Sequence, residues 1–337
     1  MPVAEGSTAV QDTSFRAIQR QLALQLPGGS TVAGSDAPID LFVSAIDPPR
    51  LVEATLIESG PMCARRVLGE PHVRFAAFLD GTQSSRVVRY VGGVALIHGT
   101  VAAVVRARRD RRMVTWDRPL IRRSLYVPRK HVDEATNDAL DRSGIPVVDT
   151  SADDASPGGG LAVHPFALRD AAINRVQKAR EAVEQELAEE WCMREEQPLF
   201  IDGGLSGSER VAVSACSVGV VKSHRALYAK GGDLQTVLAL GAAERSSVFR
   251  IAPAKRVPLA SWYLRLREPL GHDPMWGLVR VEIAHPEPGR ESTVSDNADE
   301  VSRWILAECA PLSLPDARWD KMMYGVRDCE EFLKAIT

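Results

Sequence analysis

Two apolar segments of this chain end in nearly the same four residues, and each places an aspartate before a glycine. They read FLDG at 78–81 and FIDG at 200–203. Short apolar runs bounded by such residues predict buried strands, and a carboxylate at the end of a strand lies at the rim of the sheet, in contact with water. The glycine permits a sharp turn and a close approach to the backbone. The pair therefore indicates either two ordinary turns or two aspartates at one site.

A long helical segment separates the two motifs. Apolar residues recur at helical spacing over 166–191, which predicts one amphipathic helix. A shorter helix is expected at Phe15–Leu26, and two more near the C-terminus, at about 296–309 and 327–336.

Strand patterns occur on both sides of the long helix. The residues around the first motif predict a three-stranded meander with a turn at 98–100, and two later segments alternate like the partners of a hairpin. These strand segments are 73–81, 86–99, 100–108, 261–266 and 276–284. Strands with helices between and after them predict an α/β fold with a mixed β-sheet flanked by helices.

Composition limits the classes of function. Of 337 residues, 41 are basic and 44 acidic, so the net charge of −3 gives no global attraction for nucleic acid. A nucleic-acid surface must be a local patch, and the densest basic run is RARRDRR at 106–112. The five cysteines form no CxxC pair, which predicts reduced thiols rather than a structural zinc site. Without a signal-peptide pattern or a membrane-length apolar run, a cytoplasmic protein is expected.

A third carboxylate is needed if the two aspartates share a divalent cation, because Mg²⁺ and Mn²⁺ prefer several carboxylate and water oxygens. The long helix offers many acids. Its apolar face is formed by Ile173, Val176, Val183, Leu187 and Trp191. Glu184 lies within about 60° of the centre of that face. Glu181 lies more than about 110° away and is the fallback. The helical angles favour Glu184.

These motifs resemble the NurA nuclease domain family. The shared features are FLDG, a Glu-bearing helix directly before a strand that reads FIDGG, and a β segment that closes in GVVKSH. The resemblance covers about residues 70–337 and implies an RNase H-like fold related to the PIWI domain. It implies that Asp80, Glu184 and Asp202 are both the catalytic and the metal-binding residues.

The resemblance also implies an activity, partners and boundaries. The activity is metal-dependent hydrolysis of DNA, as an exonuclease or endonuclease, with Mn²⁺ or Mg²⁺ as cofactor. The implied partners are a hexameric HerA-like ATPase and a second copy in a homodimer, acting in DNA-end repair or in antiviral (phage) defence. Residues 1–65 are expected to form an N-terminal helical extension, and 66–337 the nuclease domain with an insertion at about 106–160.

One feature of the family pattern is missing here. The family usually closes with a Pro-x-x-Leu…Ala-His segment whose histidine is a fourth ligand. The corresponding residues, RWDKMMYGVRDCEEFLKA at 318–335, contain no histidine. Asp320, Asp328 and Glu330 are the candidates to replace it.

Other functions remain open from the sequence. The missing histidine favours a catalytically inactive nuclease-like subunit that scaffolds the ATPase or binds nucleic acid. A PIWI-like, guide-dependent nucleic-acid binder is a second alternative. A glycosidase with Asp80 and Asp202 flanking a sugar is a third, but few aromatic residues cluster near those positions. Lys222 and Ser223, after the GVV strand, are candidates to contact a phosphate.

Overall fold

The computed structural model describes residues 14–26, 49–151, 164–252, 256–269, 271–287, 289–309 and 324–337. The helices in these ranges are α1 (Phe15–Gln25), α2 (Glu134–Arg142), α3 (Pro165–Arg194), α4 (Glu209–Val213), α5 (Gly232–Leu238), α6 (Val294–Glu308) and α7 (Tyr324–Ile336). The strands are β1 (Arg50–Leu51), β2 (Thr55–Leu56), β3 (Ala64–Arg66), β4 (Ala77–Val91), β5 (Val94–Arg109), β6 (Arg112–Thr115), β7 (Leu120–Val127), β8 (Val147–Asp149), β9 (Leu199–Asp202), β10 (Ser217–Val221), β11 (Ala226–Leu227), β12 (Glu244–Ser246), β13 (Phe249–Ile251), β14 (Leu259–Arg265) and β15 (Leu278–Ala284).

The strands form one large mixed sheet and one small ribbon. Thirteen of the described strands belong to the large sheet, and β1 pairs with β11 in the ribbon. Helices flank the large sheet, so the predicted α/β class is confirmed. The RNase H-like assignment stays a prediction.

The chain divides into two compact units. The described residues of unit 1 come from Met1–Val43, Gln83–Val101 and Ile121–Arg180, and those of unit 2 from Ser44–Thr82, Ala102–Leu120 and Glu181–Thr337. Unit 1 contains residues 83–91 of β4, residues 94–101 of β5, nearly all of β7, strand β8 and the predicted helix α1. The apolar face of α1 packs into a core that includes Ile18, Leu22, Val88, Leu125 and Leu140.

The central strands of unit 2 run in the order β14-β15-β10-β9-β4. Strand β9 is parallel to both β4 and β10, whereas β15 is antiparallel to β10 and β14. The β14–β15 hairpin and the two C-terminal helices agree with the predictions from sequence. Two of these parallel strands, β4 and β9, carry the Asp-Gly motifs.

Aromatic rings pack together where β4 and β9 approach the two aspartates. Phe78 of β4 and Phe200 of β9 lie with their ring centroids 5.6 Å apart, and Phe75 lies 5.2 Å from Phe200. Helix α7 covers this group, because Gly325 packs directly on the Phe78 ring and Cys329 Sγ donates to the Phe78 carbonyl at 3.4 Å. The cluster fixes the strands just before the two aspartates.

Strands β4 and β5 replace the predicted three-stranded meander. β4 continues through Asp80-Gly81, and β5 continues through 98–100, so both predicted turns are wrong. The turn lies at Gly92-Gly93, whose φ angles of 55° and 84° suit a two-residue hairpin. Gly99 makes no turn and instead leaves room for a neighbouring side chain, because a Cβ there would lie 2.7 Å from Val176 Cγ2.

Candidate functional site

Asp80 and Asp202 lie side by side on neighbouring parallel strands. The last register pair between β4 and β9 is Leu79 opposite Ile201, and the aspartates are the next residues of the two strands. Residues at matching positions of a parallel pair present their side chains on the same face of the sheet. The two Asp-Gly motifs, which are far apart in sequence, therefore meet in unit 2.

Asp80 is buried, which differs from the solvated strand end that the sequence predicted. Only 7% of the residue is exposed. Burial raises the pKa of Asp80 well above its ordinary value, and the charges of Asp202 and Glu184 raise it further. Lys222 lowers this pKa, as does the backbone N–H of Gly81, which donates to Asp80 Oδ1 at 2.7 Å. Perturbed carboxyl groups of this kind concentrate at functional sites.

Glu184 reaches the same strand from helix α3. A Cβ built on Gly81 would lie 2.8 Å from both Cγ and Cδ of Glu184, so this carboxyl group packs directly on the Gly81 backbone. A glycine inside a strand often marks such a close approach. This packing accounts for Gly81, since β4 makes no turn there. The fallback acid, Glu181, is exposed.

Lys222 supplies positive charge to this group of acids. Its Nζ lies 2.6 Å from Asp202 Oδ2, and the two side chains are only 16% and 15% exposed. Lys222 directly follows β10, in which Val220 is the register partner of Asp202. The sequence suggested a phosphate contact for Lys222; the structure makes it the counter-ion of Asp202.

A buried glutamate holds the loop that follows Asp202. Glu282 in β15 is 2% exposed. Its Oε2 accepts a hydrogen bond from the Leu205 backbone N–H at 2.8 Å, and its Oε1 accepts one from Arg280 Nη2 at 2.8 Å. The approach is close enough that a Cβ on Gly204 would lie 3.0 Å from Oε2. Sequence reasoning missed Glu282, whose only signal is an acid within the apolar strand at 278–284.

A polar cavity opens beside the continuation of this loop. Its volume is about 430 Å³, and residues 206–209, Ala212, Arg256 and Val257 line it. Arg256 Nη1 donates to the carbonyl oxygen of Ser206 at 2.9 Å and to its Oγ at 3.3 Å. Small-molecule sites typically occupy about 300–1,000 Å³, so the cavity has room for a ligand of nucleotide size.

The carboxyl groups of the acidic cluster are of the kind that binds a divalent cation, but they are not arranged as a complete metal site. Asp80, Glu184 and Asp202 offer the carboxylate oxygens that Mg²⁺ and Mn²⁺ prefer. Within the described ranges, however, no group of three or more His, Cys, Asp or Glu residues is arranged to hold a metal ion. Lys222 lies against Asp202 instead. The donor set fits the metal, and Lys222 competes with it for Asp202.

The proposed replacements for the missing histidine are engaged elsewhere or lie outside the described residues. Asp328 Oδ1 accepts a hydrogen bond from Arg106 Nε at 2.5 Å. Glu330 Oε2 pairs with Lys334 Nζ at 3.4 Å along helix α7. Asp320 falls in the part of the chain that is not described. A fourth ligand from this region therefore stays a prediction.

The basic run at 106–112 divides into a structural part and an exposed part. Besides its bond to Asp328, the Arg106 guanidinium lies over the Phe332 ring, 4.6 Å from its centroid. Arg108 donates two hydrogen bonds, of 3.0 and 2.7 Å, to Glu308, whose side chain is 3% exposed. The residues exposed at the β5–β6 turn are Arg109, Arg111 and Arg112. Only these tip arginines present the free basic surface expected of the run.

Two comparisons with known proteins gave no match. No model of a known protein family matches the chain, and no curated protein matches it at a significant level. The resemblance to the NurA nuclease domain therefore rests on the motifs quoted above and stays a prediction. Among the residues whose structure is described, no helix is both long and apolar enough to cross a membrane.

Proposed function

We propose that this protein is a divalent-metal-dependent deoxyribonuclease whose metal ligands are Asp80, Glu184 and Asp202. One observation carries the proposal. Burial raises the pKa of Asp80, and the charges of Asp202 on β9 and of Glu184 on α3, which packs on Gly81, raise it further. A fold gains no stability from crowding like charges at a buried position, so the arrangement favours a functional role.

The residues have distinct roles in this proposal. When bound, divalent cations at the cluster supply a water of lowered pKa and neutralise charge at the leaving oxygen. Asp80 and Asp202 hold oxygen donors on two rigid strands, and Glu184 adds a third donor from the helix. Lys222 pairs with Asp202 and presents its positive charge toward a phosphate oxygen of the substrate. Glu282 positions the loop after Asp202 through the Leu205 N–H.

DNA is the substrate class that the surroundings favour. The cavity of about 430 Å³ at residues 206–209, in the loop that follows Asp202, has the volume to take a nucleotide, and Arg256 supplies positive charge at its wall. The tip arginines of the β5–β6 turn add sequence-independent contacts to phosphates. The proposal also includes a HerA-like ATPase as partner, a homodimer, and a cytoplasmic role in DNA repair or antiviral defence. These parts are supported by the resemblance alone.

Metal titration and a nuclease assay test the proposal. Asp80→Asn and Asp202→Asn are expected to weaken Mn²⁺ binding, measured by titration calorimetry, and to reduce cleavage of linear DNA by several orders of magnitude. The matched control is Glu287→Gln, since the Glu287 side chain is 75% exposed and pairs only with Arg290 among the described salt bridges. Full cleavage by either aspartate variant, or a wild type that binds no Mn²⁺, contradicts the proposal.

The second candidate is an inactive nuclease-like scaffold. It is favoured by the ion pair between Lys222 and Asp202, which supplies a permanent positive charge where a metal ion is needed. A scaffold of this kind requires Lys222 for stability and binds no divalent cation. Lys222→Met discriminates between the two functions. In a scaffold it lowers the melting temperature in Mn²⁺ as much as in EDTA, whereas in a nuclease Mn²⁺ restores part of the loss.

A further inference from the structure

Two cysteines of unit 2 lie next to each other away from the acidic cluster. Cys192 is near the C-terminal end of α3, and Cys216 directly precedes β10. Their Sγ atoms are 3.8 Å apart. Cys216 is 8% exposed, while Cys192 is partly exposed and so can meet a small solute. Both are free thiols.

The surroundings of the pair make one sulfur acidic. The hydrogen bond between the two sulfur atoms lowers the pKa of Cys216 to about 6, with a further contribution from Ser214. Ser214 Oγ lies 3.1 Å from Cys216 Sγ. The same hydrogen bond raises the pKa of Cys192. The pair therefore places a sulfur of lowered pKa beside a second thiol, the combination that reacts in redox-active dithiols.

We propose that Cys192 and Cys216 form a redox-active dithiol that closes to a disulfide when the protein meets a hydroperoxide. The Cys216 thiolate attacks the peroxide, the O–O bond breaks, and a sulfenic acid forms as the leaving oxygen takes up a proton. The Cys192 sulfur then attacks this sulfenic acid. The S–S bond forms, the S–O bond breaks, and water leaves with the Cys192 proton. Two thiols lose two electrons, and the peroxide gains them.

The closure needs only a short movement. The sulfur atoms must approach from 3.8 Å to about 2.05 Å. The Leu199 N–H donates to the Cys216 carbonyl at 2.8 Å, so the residue is anchored on β9 while its side chain moves. The new bond links helix α3 to strand β10. Glu184 lies about two turns earlier on the same helix, and Lys222 directly follows the same strand.

The other cysteines do not share these properties. Burial raises the pKa of Cys309 to about 12, and burial likewise raises that of Cys329. Cys63 is partly exposed, and its Sγ contacts Ser247 Oγ at 3.4 Å. Cys63 is therefore a matched control. It is partly exposed like Cys192, but none of the described contacts joins it to a second thiol. Disulfide formation between Cys192 and Cys216 does not depend on the proposed nuclease function.

Oxidation of the full chain tests the inference. After treatment with a small excess of hydrogen peroxide and trypsin digestion without reductant, mass spectrometry is expected to find peptides 181–194 and 211–222 joined by a disulfide. The melting temperature is expected to rise by about 3–6 °C, because the cross-link restricts the unfolded chain, and to return after dithiothreitol treatment. Cys63→Ser keeps both effects.

Two serine variants make the result decisive. Cys192→Ser and Cys216→Ser each are expected to abolish the joined peptides and the reversible rise in melting temperature. If Cys216→Ser fails to fold, Cys192→Ser alone carries the test, because its side chain is partly exposed. The inference is overturned if the wild type shows no joined peptides at a peroxide dose that oxidises Cys63, or if Cys192→Ser keeps the rise in melting temperature.

Discussion

Gly81 offers a sharp test of where the Glu184 carboxyl group lies. In Gly81→Ala the new methyl carbon would be 2.8 Å from Cγ and Cδ of Glu184, whereas carbon atoms in contact normally stay about 3.5–4.0 Å apart. Glu184 or the strand must therefore move by about 1 Å. Overpacking of this size costs about 1–3 kcal/mol. The reduced flexibility of the unfolded chain offsets about 0.4–1 kcal/mol of it, which leaves a net loss of about 1–2 kcal/mol.

Urea denaturation of a double-mutant cycle measures this loss. Glu184→Ala removes the atoms that the new methyl group meets, so Gly81→Ala is expected to cost about 1 kcal/mol less in that background than in the wild type. Gly232→Ala is the control, because a Cβ there meets nothing within 4 Å. The φ angle of Gly81 is not positive, so alanine is not excluded by the backbone. Equal costs of Gly81→Ala in both backgrounds would refute the placement of Glu184.

Four further predictions follow from the charges. Because the folded pKa of Asp80 is raised, its ionised form opposes folding above that pKa; the penalty shrinks as the pH falls below it and is gone only near the ordinary pKa of an aspartate. Asp80→Asn is thus expected to be more stable than wild type at pH 8 and to lose that advantage at pH 4, with each unit of raised pKa worth about 1.4 kcal/mol in urea denaturation. Metal binding must displace the proton that Asp80 favours, so Mn²⁺ affinity in calorimetry is expected to rise with pH. Arg108→Ala leaves buried Glu308 without its partner and is expected to cost about 3 kcal/mol. Replacing the tip arginines by alanine is expected to change stability by less than about 0.5 kcal/mol but to weaken DNA binding and reduce its salt slope by up to about three. The tip arginines are Arg109, Arg111 and Arg112.

The elements that local periodicity specifies were predictable from sequence. Helix α1 places Ile18 and Leu22 in the core as their spacing predicted, and α3 covers the predicted segment with Val183 and Leu187 buried. The β14–β15 hairpin follows from its alternation. In each case the residues that bury an element are close together in sequence, so the pattern is visible without knowledge of the remaining fold.

The turns of the meander were not predictable in the same way. Gly81, Gly93 and Gly99 are equally compatible with a turn in sequence, but only Gly93 has a positive φ angle, of 84°. Gly81 and Gly99 instead make room for side chains from α3, namely Glu184 and Val176. Which glycine turns the chain is decided by the helix that packs on the strand, and a local pattern contains no information about that contact.

Some residues of the candidate site could be predicted from the sequence, and others could not. The identical Asp-Gly motifs and the helical angle pointed to Asp80, Asp202 and Glu184. The roles of Lys222 and Glu282 depend on the strand order β15-β10-β9-β4, which places their strands beside the aspartates. The nearness of Cys192 to Cys216 likewise depends on where the end of α3 meets the start of β10. Partners of this kind follow from tertiary structure rather than from spacing.

The charge balance of the cluster connects the fold to the proposed chemistry. Asp80, Glu184 and Asp202 bring three carboxyl groups together, and Lys222 pairs with one of them. The excess negative charge at a buried position must be neutralised by a proton or by a cation. The raised pKa of Asp80, due first to burial and then to Asp202, corresponds to neutralisation by a proton. A divalent cation offers the alternative, since it neutralises two carboxylates without protonating either. Both outcomes follow from one structural cause: the parallel pairing of β4 with β9 sets Asp80 beside Asp202.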